Sequence, residues 1–306
     1  MTKRIGTSTQ TFGAGAREGH DASGFYNRFD KPVLDLDTEI NPQPRLRSPA
    51  ICGDSRQMKN LPDRCVALVV TSPPYFVGKD YEILEAAAAR NGSIPTTYVD
   101  YLQMLHDVFT ECERVLEPGG RIAINVANLG RKPYRSLSAE VMSILETIGF
   151  FLRAEIIWQK AEGAGSSCAW GSFRSAANPV LRDLTERVIV ASKGQFGRAL
   201  SKTERKKHDL PYEDTISAKE FMEATLDVWH IPPESAKKVG HPAPFPVALP
   251  ARLINLYTYK GDLVLDPFMG SGTTLVAAHQ LARNAVGYDT DPAYVAISKK
   301  RLRKSD

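Results

Sequence analysis

Residues 1–48 mix Gly, Ser, Thr, charged and aromatic positions with no stable period, so this stretch reads as an N-terminal arm and not as a domain. From Ala50 the pattern changes. Short apolar runs alternate with amphipathic segments, and that alternation predicts an α/β fold around a mostly parallel sheet. Seven strands are expected, at Ala50–Gly53, Val66–Val70, Arg121–Val126, Ala154–Trp158, Arg187–Ala191, Leu263–Leu265 and Ala285–Tyr288. Leu102, Leu105, Phe109, Cys112 and Leu116 recur at helical spacing over Tyr98–Leu116, and Glu117-Pro118-Gly119-Gly120 should end that helix. Asp291 and Pro292 have the form of an N-cap and a first-turn proline opening the last helix. The stretch from Gln159 to about His230 breaks the rhythm: it holds one strand-like segment and the basic run Arg205-Lys206-Lys207, and reads as an insertion serving a partner.

Composition changes this picture little. Hydrophobic residues are 42% and charged residues 24% of 306, the balance of a soluble globular protein able to bury a substantial core. A formal charge of +4 is compatible with a polyanionic partner without requiring one. Cys52, Cys65, Cys112 and Cys168 show no paired spacing, so neither a disulfide framework nor a metal site is expected. No apolar run is long enough to span a bilayer and no signal pattern opens the chain, so a cytoplasmic protein with no membrane partner is expected.

Two segments carry candidate chemistry. Leu263-Val264-Leu265 runs into Asp266-Pro267-Phe268-Met269-Gly270-Ser271-Gly272-Thr273-Thr274, a strand, a tight glycine turn and a helix start. Gly270 and Gly272 remove Cβ atoms that would obstruct a nucleoside cofactor, and the helix start presents free amides. A P-loop lysine and the third glycine of a dinucleotide fingerprint are both missing, which argues against a nucleotide phosphate. One βα unit later, Val286-Gly287-Tyr288-Asp289 ends a second strand in a carboxylate, so Asp289 is the candidate acceptor for ribose hydroxyls, while Asp291 is better placed to cap a helix.

The strand Val66–Val70 ends in Thr71-Ser72-Pro73-Pro74-Tyr75. Ligands of open α/β sheets sit beyond the carboxyl ends of strands, so this proline-stiffened turn should lie beside the glycine loop. An aromatic amine must be drawn toward a tetrahedral nitrogen before it can attack a methyl sulfonium. The Ser72 hydroxyl and Pro73 carbonyl can accept the two amino hydrogens, and Tyr75 offers a face for an extruded base.

Together, Ser72-Pro73-Pro74-Tyr75 and Asp266 to Thr274 resemble the catalytic and cofactor motifs of the amino-DNA methyltransferases of restriction-modification systems. Their order, catalytic motif first, matches the permuted β group of that family. The resemblance runs over roughly Ala50 to Arg301. It implies a Rossmann-like S-adenosylmethionine-dependent fold over residues 49–306, with circularly permuted motifs and a target-recognition region inserted at about 159–230. It implies S-adenosylmethionine held by Asp54, Thr71, His241, Pro242, Phe245, Asp266, Pro267, Phe268, Gly270, Ser271, Gly272, Thr273 and Asp289. Among these, Cys52-Gly53-Asp54 is similar to the family's strand-end turn, and His241 to Pro246 to its segment over the methionine part of the cofactor, with a helix from Pro246 to Tyr259.

Ser72, Pro73, Pro74 and Tyr75 are then the catalytic residues, and double-stranded DNA the partner, met by Lys160 and by Arg205, Lys206 and Lys207. On composition alone that basic run is equally a solvated loop. Arg182, Glu186 and Lys193 also fall in a familiar pattern. A serine opening the tetrad leans toward cytosine N4, with adenine N6 as the alternative; a protein-glutamine methyltransferase and a non-catalytic DNA-binding protein are more distant readings. Cytosine C5 chemistry is disfavoured, because none of the four cysteines lies in a nucleophile motif. A separate cognate endonuclease and a homodimer are the further partners of such an enzyme.

Overall fold

The computed structural model describes residue 28 and residues 32–76, 95, 97–128, 133–162, 170–233 and 245–304. The chain divides into two compact units, Met1–Asp35 and Leu36–Asp306, and every element below belongs to the second. Residues 36–48, read from sequence as part of the arm, form neither helix nor strand but are held to this unit. The Asn41 amide donates to the Arg64 carbonyl (3.1 Å), and the Gln43 side chain to that of Gly261 (3.0 Å).

The described strands are β1 (Ala50–Cys52), β2 (Val66–Thr71), β3 (Leu116–Val126), β4 (Phe150–Gln159), β5 (Thr185–Lys193), β6 (Val228–His230), β7 (Leu263–Asp266) and β8 (Asn284–Asp289). They form one sheet in the order β1-β8-β7-β2-β3-β5-β4-β6. Neighbours are parallel except at β5, which runs antiparallel to both β3 and β4. The sheet thus has eight strands where seven were expected. The additional one, β6, is three residues long and buries only Trp229 between two exposed neighbours, too short for a period to show. Both β5 and β6 fall within the expected insertion, so that stretch contributes two strands to the sheet. No described helix is long and apolar enough to cross a membrane.

The helices are α1 (Tyr98–Val115), α2 (Leu137–Ile148), α3 (Lys202–Lys207), α4 (Ala218–Ala224), α5 (Ala248–Tyr257), α6 (Thr273–Gln280) and α7 (Pro292–Leu302). Thr97 and Asp100 form a reciprocal capping box at the start of α1, and its buried stripe is Tyr101, Leu105, Val108, Phe109, Cys112 and Val115. Alternation along the strands feeds two cores. Val69, Ile122, Ile124, Ile189 and Leu265 pack with α1 and α2 on one face. Leu68, Val70, Ala123, Val188, Val190 and Val264 pack with α5, α6 and Trp229 on the other. Each large apolar side chain so buried stabilises the fold by about 1.5–3 kcal/mol.

The helix ends before Glu117-Pro118-Gly119-Gly120, as expected, and this segment lies in β3, which therefore starts at Leu116 where Arg121 was expected. The register shifts between Val66 and Leu68 opposite it, and Gly119 has φ +74° with its α-carbon so close to the Gly197 carbonyl that any Cβ would collide. At β7 and β2 the strand order reverses direction, with β8 and β1 to one side and β3 to the other. Such a switch point opens a crevice at the carboxyl ends of the strands.

Candidate active site

The carboxyl ends of β2 and β7 bring the two motifs together across almost two hundred residues. The Thr71 hydroxyl donates to Asp266 Oδ1 (2.7 Å), which also accepts from the Phe268 amide (3.1 Å). Asp266 Oδ2 is buried and has no hydrogen-bond partner among the described residues. Burial outweighs the neighbouring Thr274 and Thr71 hydroxyls and pushes the Asp266 carboxyl up to about 6. An orphaned carboxylate oxygen at a strand end is an acceptor suited to a cationic or hydroxyl-bearing ligand.

Asp289 closes β8 beside the glycine turn. Its two oxygens accept from the amides of Gly270 and Asp291, each at 2.9 Å, with lone pairs left for further donors. Burial pushes it too up to about 6, against the opposing Asp291 and Gly270 amides. Asp291 is spent as expected, capping α7 through the Ala293 amide (2.7 Å) with Pro292 in the first turn. Gly270 and Gly272 have φ of +46° and +78°, in the left-handed region that favours glycine. A Cβ on Gly272 would strike Ser298 of α7, so this glycine also lets α7 pack against the turn. Ser271 and Thr273 are buried and accept from Arg301 at 2.9 and 3.0 Å, an arginine the sequence reading passed over. Ser55, also passed over, is buried and donates to the Pro267 carbonyl. Asp54 is held by Arg56 at 2.6 Å, at the end of β1. Phe245 is half-buried against the second core, ahead of α5, which spans less than the expected Pro246 to Tyr259. His241 and Pro242 lie outside the described residues.

The tetrad leaves β2 with Pro73 buried and Ser72, Pro74 and Tyr75 half-buried. Ser72 Oγ lies 3.2 Å from Tyr75 Oη, and Tyr75 donates to Glu186 Oε2 (3.1 Å). Burial, then the charge of Glu186, holds the Tyr75 phenol well above its ordinary range, so it stays protonated. Two further residues complete this cluster. Asn125, the polar interruption near the end of apolar β3, donates to the same Glu186 oxygen. Lys160 pairs with Glu186 Oε1 and lies 5.1 Å above the Trp158 ring. Asn125 was missed; a lone amide near the carboxyl end of a buried strand was the signal that marked it.

The basic run behaves differently. Arg205 is 1% exposed and its guanidinium is shared between Glu117 and Asp262, each at 3.0 Å, so its expected role as a phosphate contact is corrected: it has no surface from which to reach DNA. Lys206 and Lys207 are exposed, on α3 at the opposite edge of the sheet from the tetrad.

A cofactor loop and an acceptor-rich, proline-stiffened turn therefore share one crevice. Residues 66–300 match the model of the N6/N4 methylase family, described as DNA methylase. The chain belongs to this DNA methylase family. The type II methyltransferase M.MjaI of Methanocaldococcus jannaschii is 30% identical over 281 residues, covering 82% of this chain and 90% of its own. M.MthZI of Methanothermobacter thermautotrophicus, another type II methyltransferase, is 29% identical over 274 residues, covering 82% and 75%. Among solved structures, the Thermus thermophilus protein TTHA0409, named as a DNA modification methylase and complexed with S-adenosyl-L-methionine, superposes with a TM-score of 0.62 at 28% identity. That match covers 83% of this chain and 92% of the other. With the tetrad ahead of the cofactor loop, the DNA methylase has the β-group order, and it is a DNA methyltransferase that uses S-adenosylmethionine.

Proposed function

We propose that this methyltransferase acts on the exocyclic N4 of cytosine in double-stranded DNA, taking the base out of the stack and transferring the methyl group by direct displacement. The observation that carries this reading is Ser72 at the head of the tetrad. Its hydroxyl can accept an amino hydrogen, as can the neighbouring carbonyl of Pro73. S-adenosylmethionine supplies an electrophilic methyl group. The chain does the rest by positioning and polarisation: Ser72 and the Pro73 carbonyl draw on the amino hydrogens, and the Tyr75 ring supports the extruded base. Asp289 is assigned to the ribose hydroxyls and Asp266 Oδ2 to the donors of the methionine part. These roles fit Asp266 Oδ2, which lacks a partner among the described residues, and Asp289, which has acceptor capacity to spare. Lys160, at the same edge, is assigned to DNA.

The test is to incubate unmodified genomic DNA with enzyme and cofactor, digest it to nucleosides and identify the product. N4-methylcytosine is expected, and N6-methyladenine overturns the cytosine reading. Ser72→Ala should keep its affinity for S-adenosylmethionine and lose on the order of a hundredfold in single-turnover rate, the usual cost of one transition-state hydrogen-bond partner.

A further inference from the structure

We propose that Glu186 is a positioning residue for methyl transfer: its carboxylate sets the direction of every hydrogen bond in the chain Ser72, Tyr75, Glu186, and so makes Ser72 an acceptor toward the target amino group. The inference rests on amino-group transfer at Ser72, whichever base carries that group.

A carboxylate accepts and does not donate. Glu186, 7% exposed, receives three donors: Lys160 on Oε1, and Tyr75 and Asn125 on Oε2. Tyr75 has one hydroxyl hydrogen, and it is spent on Glu186. At 3.2 Å from Tyr75 Oη, the Ser72 hydroxyl must therefore be the donor of that pair. Ser72 also has one hydrogen, now fixed toward Tyr75, so only lone pairs remain to face the base. Asn125 reinforces the direction. Its Nδ2 must be the atom toward Glu186, since its oxygen would meet a carboxylate, and the same nitrogen lies 3.3 Å from Tyr75 Oη and 3.4 Å from Ser72 Oγ. The Tyr75 hydrogen and one Asn125 amide hydrogen are thus directed at Glu186 on β5, the second Asn125 hydrogen faces the Tyr75 and Ser72 oxygens, and the Ser72 hydrogen is committed to Tyr75.

The consequence is chemical. A serine hydroxyl that is free to rotate donates as readily as it accepts, and a donor there would suit a carbonyl base and oppose the attack of an amine. Fixing it as an acceptor favours an amino substituent and helps direct the nitrogen lone pair at the electrophile. Glu186 touches neither the base nor the cofactor; it acts through Tyr75.

The experiment is a double-mutant cycle with Glu186→Gln and Tyr75→Phe, read as single-turnover methyl incorporation into genomic DNA with enzyme in excess, alongside calorimetric binding of S-adenosylmethionine. Glu186→Gln should lower the rate roughly tenfold or more with cofactor affinity unchanged, because its amide supplies a donor where only an acceptor fits. In the Tyr75→Phe background the chain is already cut, so adding Glu186→Gln should change the rate less than about threefold. An equal loss in both backgrounds overturns the proposal and makes Glu186 a structural anchor for Lys160 and Asn125. If Glu186→Gln fails to fold, Tyr75→Phe decides alone: it keeps the ring, and a wild-type rate in it overturns the chain. Methyl incorporation counts either product, so finding N6-methyladenine would sink the cytosine reading and leave this one standing.

Discussion

The two edges of the sheet both bury carboxylates, and they treat them in opposite ways. At the amino-terminal edge, Glu117 and Asp262 precede or open β3 and β7 and are 2% and 1% exposed, yet each is met by two arginines, Arg198 and Arg205. The Tyr259 ring lies 5.2 Å from both guanidinium groups, and its amide donates to Asp262. At the carboxyl-terminal edge, Asp266 and Asp289 have no cation beside them among the described residues; they have hydroxyl and amide donors, and Asp266 Oδ2 has no hydrogen-bond partner among the described residues. Paired charge at one edge holds the fold. Under-paired carboxylates at the other, assigned to the cofactor, are buried at a cost the folded chain carries. The cavity of about 750 Å3 beside the paired box, lined among others by Gln43, Glu117, Arg205 and His208, therefore belongs to the structural edge.

The largest effect that sharpens this contrast is on stability. Arg205→Ala leaves Glu117 and Asp262 buried with one cation fewer, and breaking such a pair costs about 3–5 kcal/mol. Urea unfolding should show that loss, while the methyl-transfer rate per folded molecule stays at the wild-type level. A variant of unchanged stability would make the box ornamental, and a folded but inactive one would tie it to the site.

Asp289→Ala should do the reverse. S-adenosylmethionine affinity should fall by about 1–3 kcal/mol in calorimetry, the cost of losing charge-assisted hydrogen bonds, with no loss of unfolding free energy near neutral pH. Unchanged affinity would move the ribose contact to another residue.

A smaller effect follows from the carboxyls pushed up to about 6 from an ordinary 3.8. Because their folded pKa is raised, their contribution to stability is fully present below about pH 4 and is lost as pH rises through about 6. Hydrogen-bond donors from a bound cofactor reward the ionised form. Cofactor affinity should therefore fall as pH drops below about 6, and the rise in Tm on adding S-adenosylmethionine should be greater near pH 7.5 than near about pH 5. Equal shifts at both pH values would show that neither carboxylate meets the cofactor.

These contrasts were only partly legible in the sequence. Strands, helix stripe, caps and both motifs were, because each is local: a period, a proline, a glycine turn. Trp229 and β6 were not, since three residues carry no period and their strand exists only by pairing with β4. Arg205 was misread for the same kind of reason. Beside Lys206 and Lys207 it looks like one more surface cation, and its partners lie 88 and 57 residues away along the chain. The Ser72, Tyr75, Asn125 and Glu186 cluster joins three strands, so only the fold shows that Asn125 belongs to it.

The smallest expected effect concerns Lys206 and Lys207. They ride on α3, which Arg205 pins to the residues before β7 and at the start of β3, and β3 runs roughly 25 Å from Glu117 to Asn125 at about 3.3 Å per residue. Lys206 lies 5.7 Å over the Tyr212 ring, a local use for its charge. On the proposed assignment of Ser72 and Lys160, a duplex delivering a base lies across the other edge. Lys206→Ala with Lys207→Ala should therefore leave both DNA affinity and its salt dependence unchanged. If DNA wraps far enough to touch α3, the slope of log affinity against log salt should instead fall by roughly 0.9 for each lost phosphate contact. A titration across salt concentrations separates the two, and a slope reduced by nearly two units would show that the structural edge also belongs to the DNA footprint.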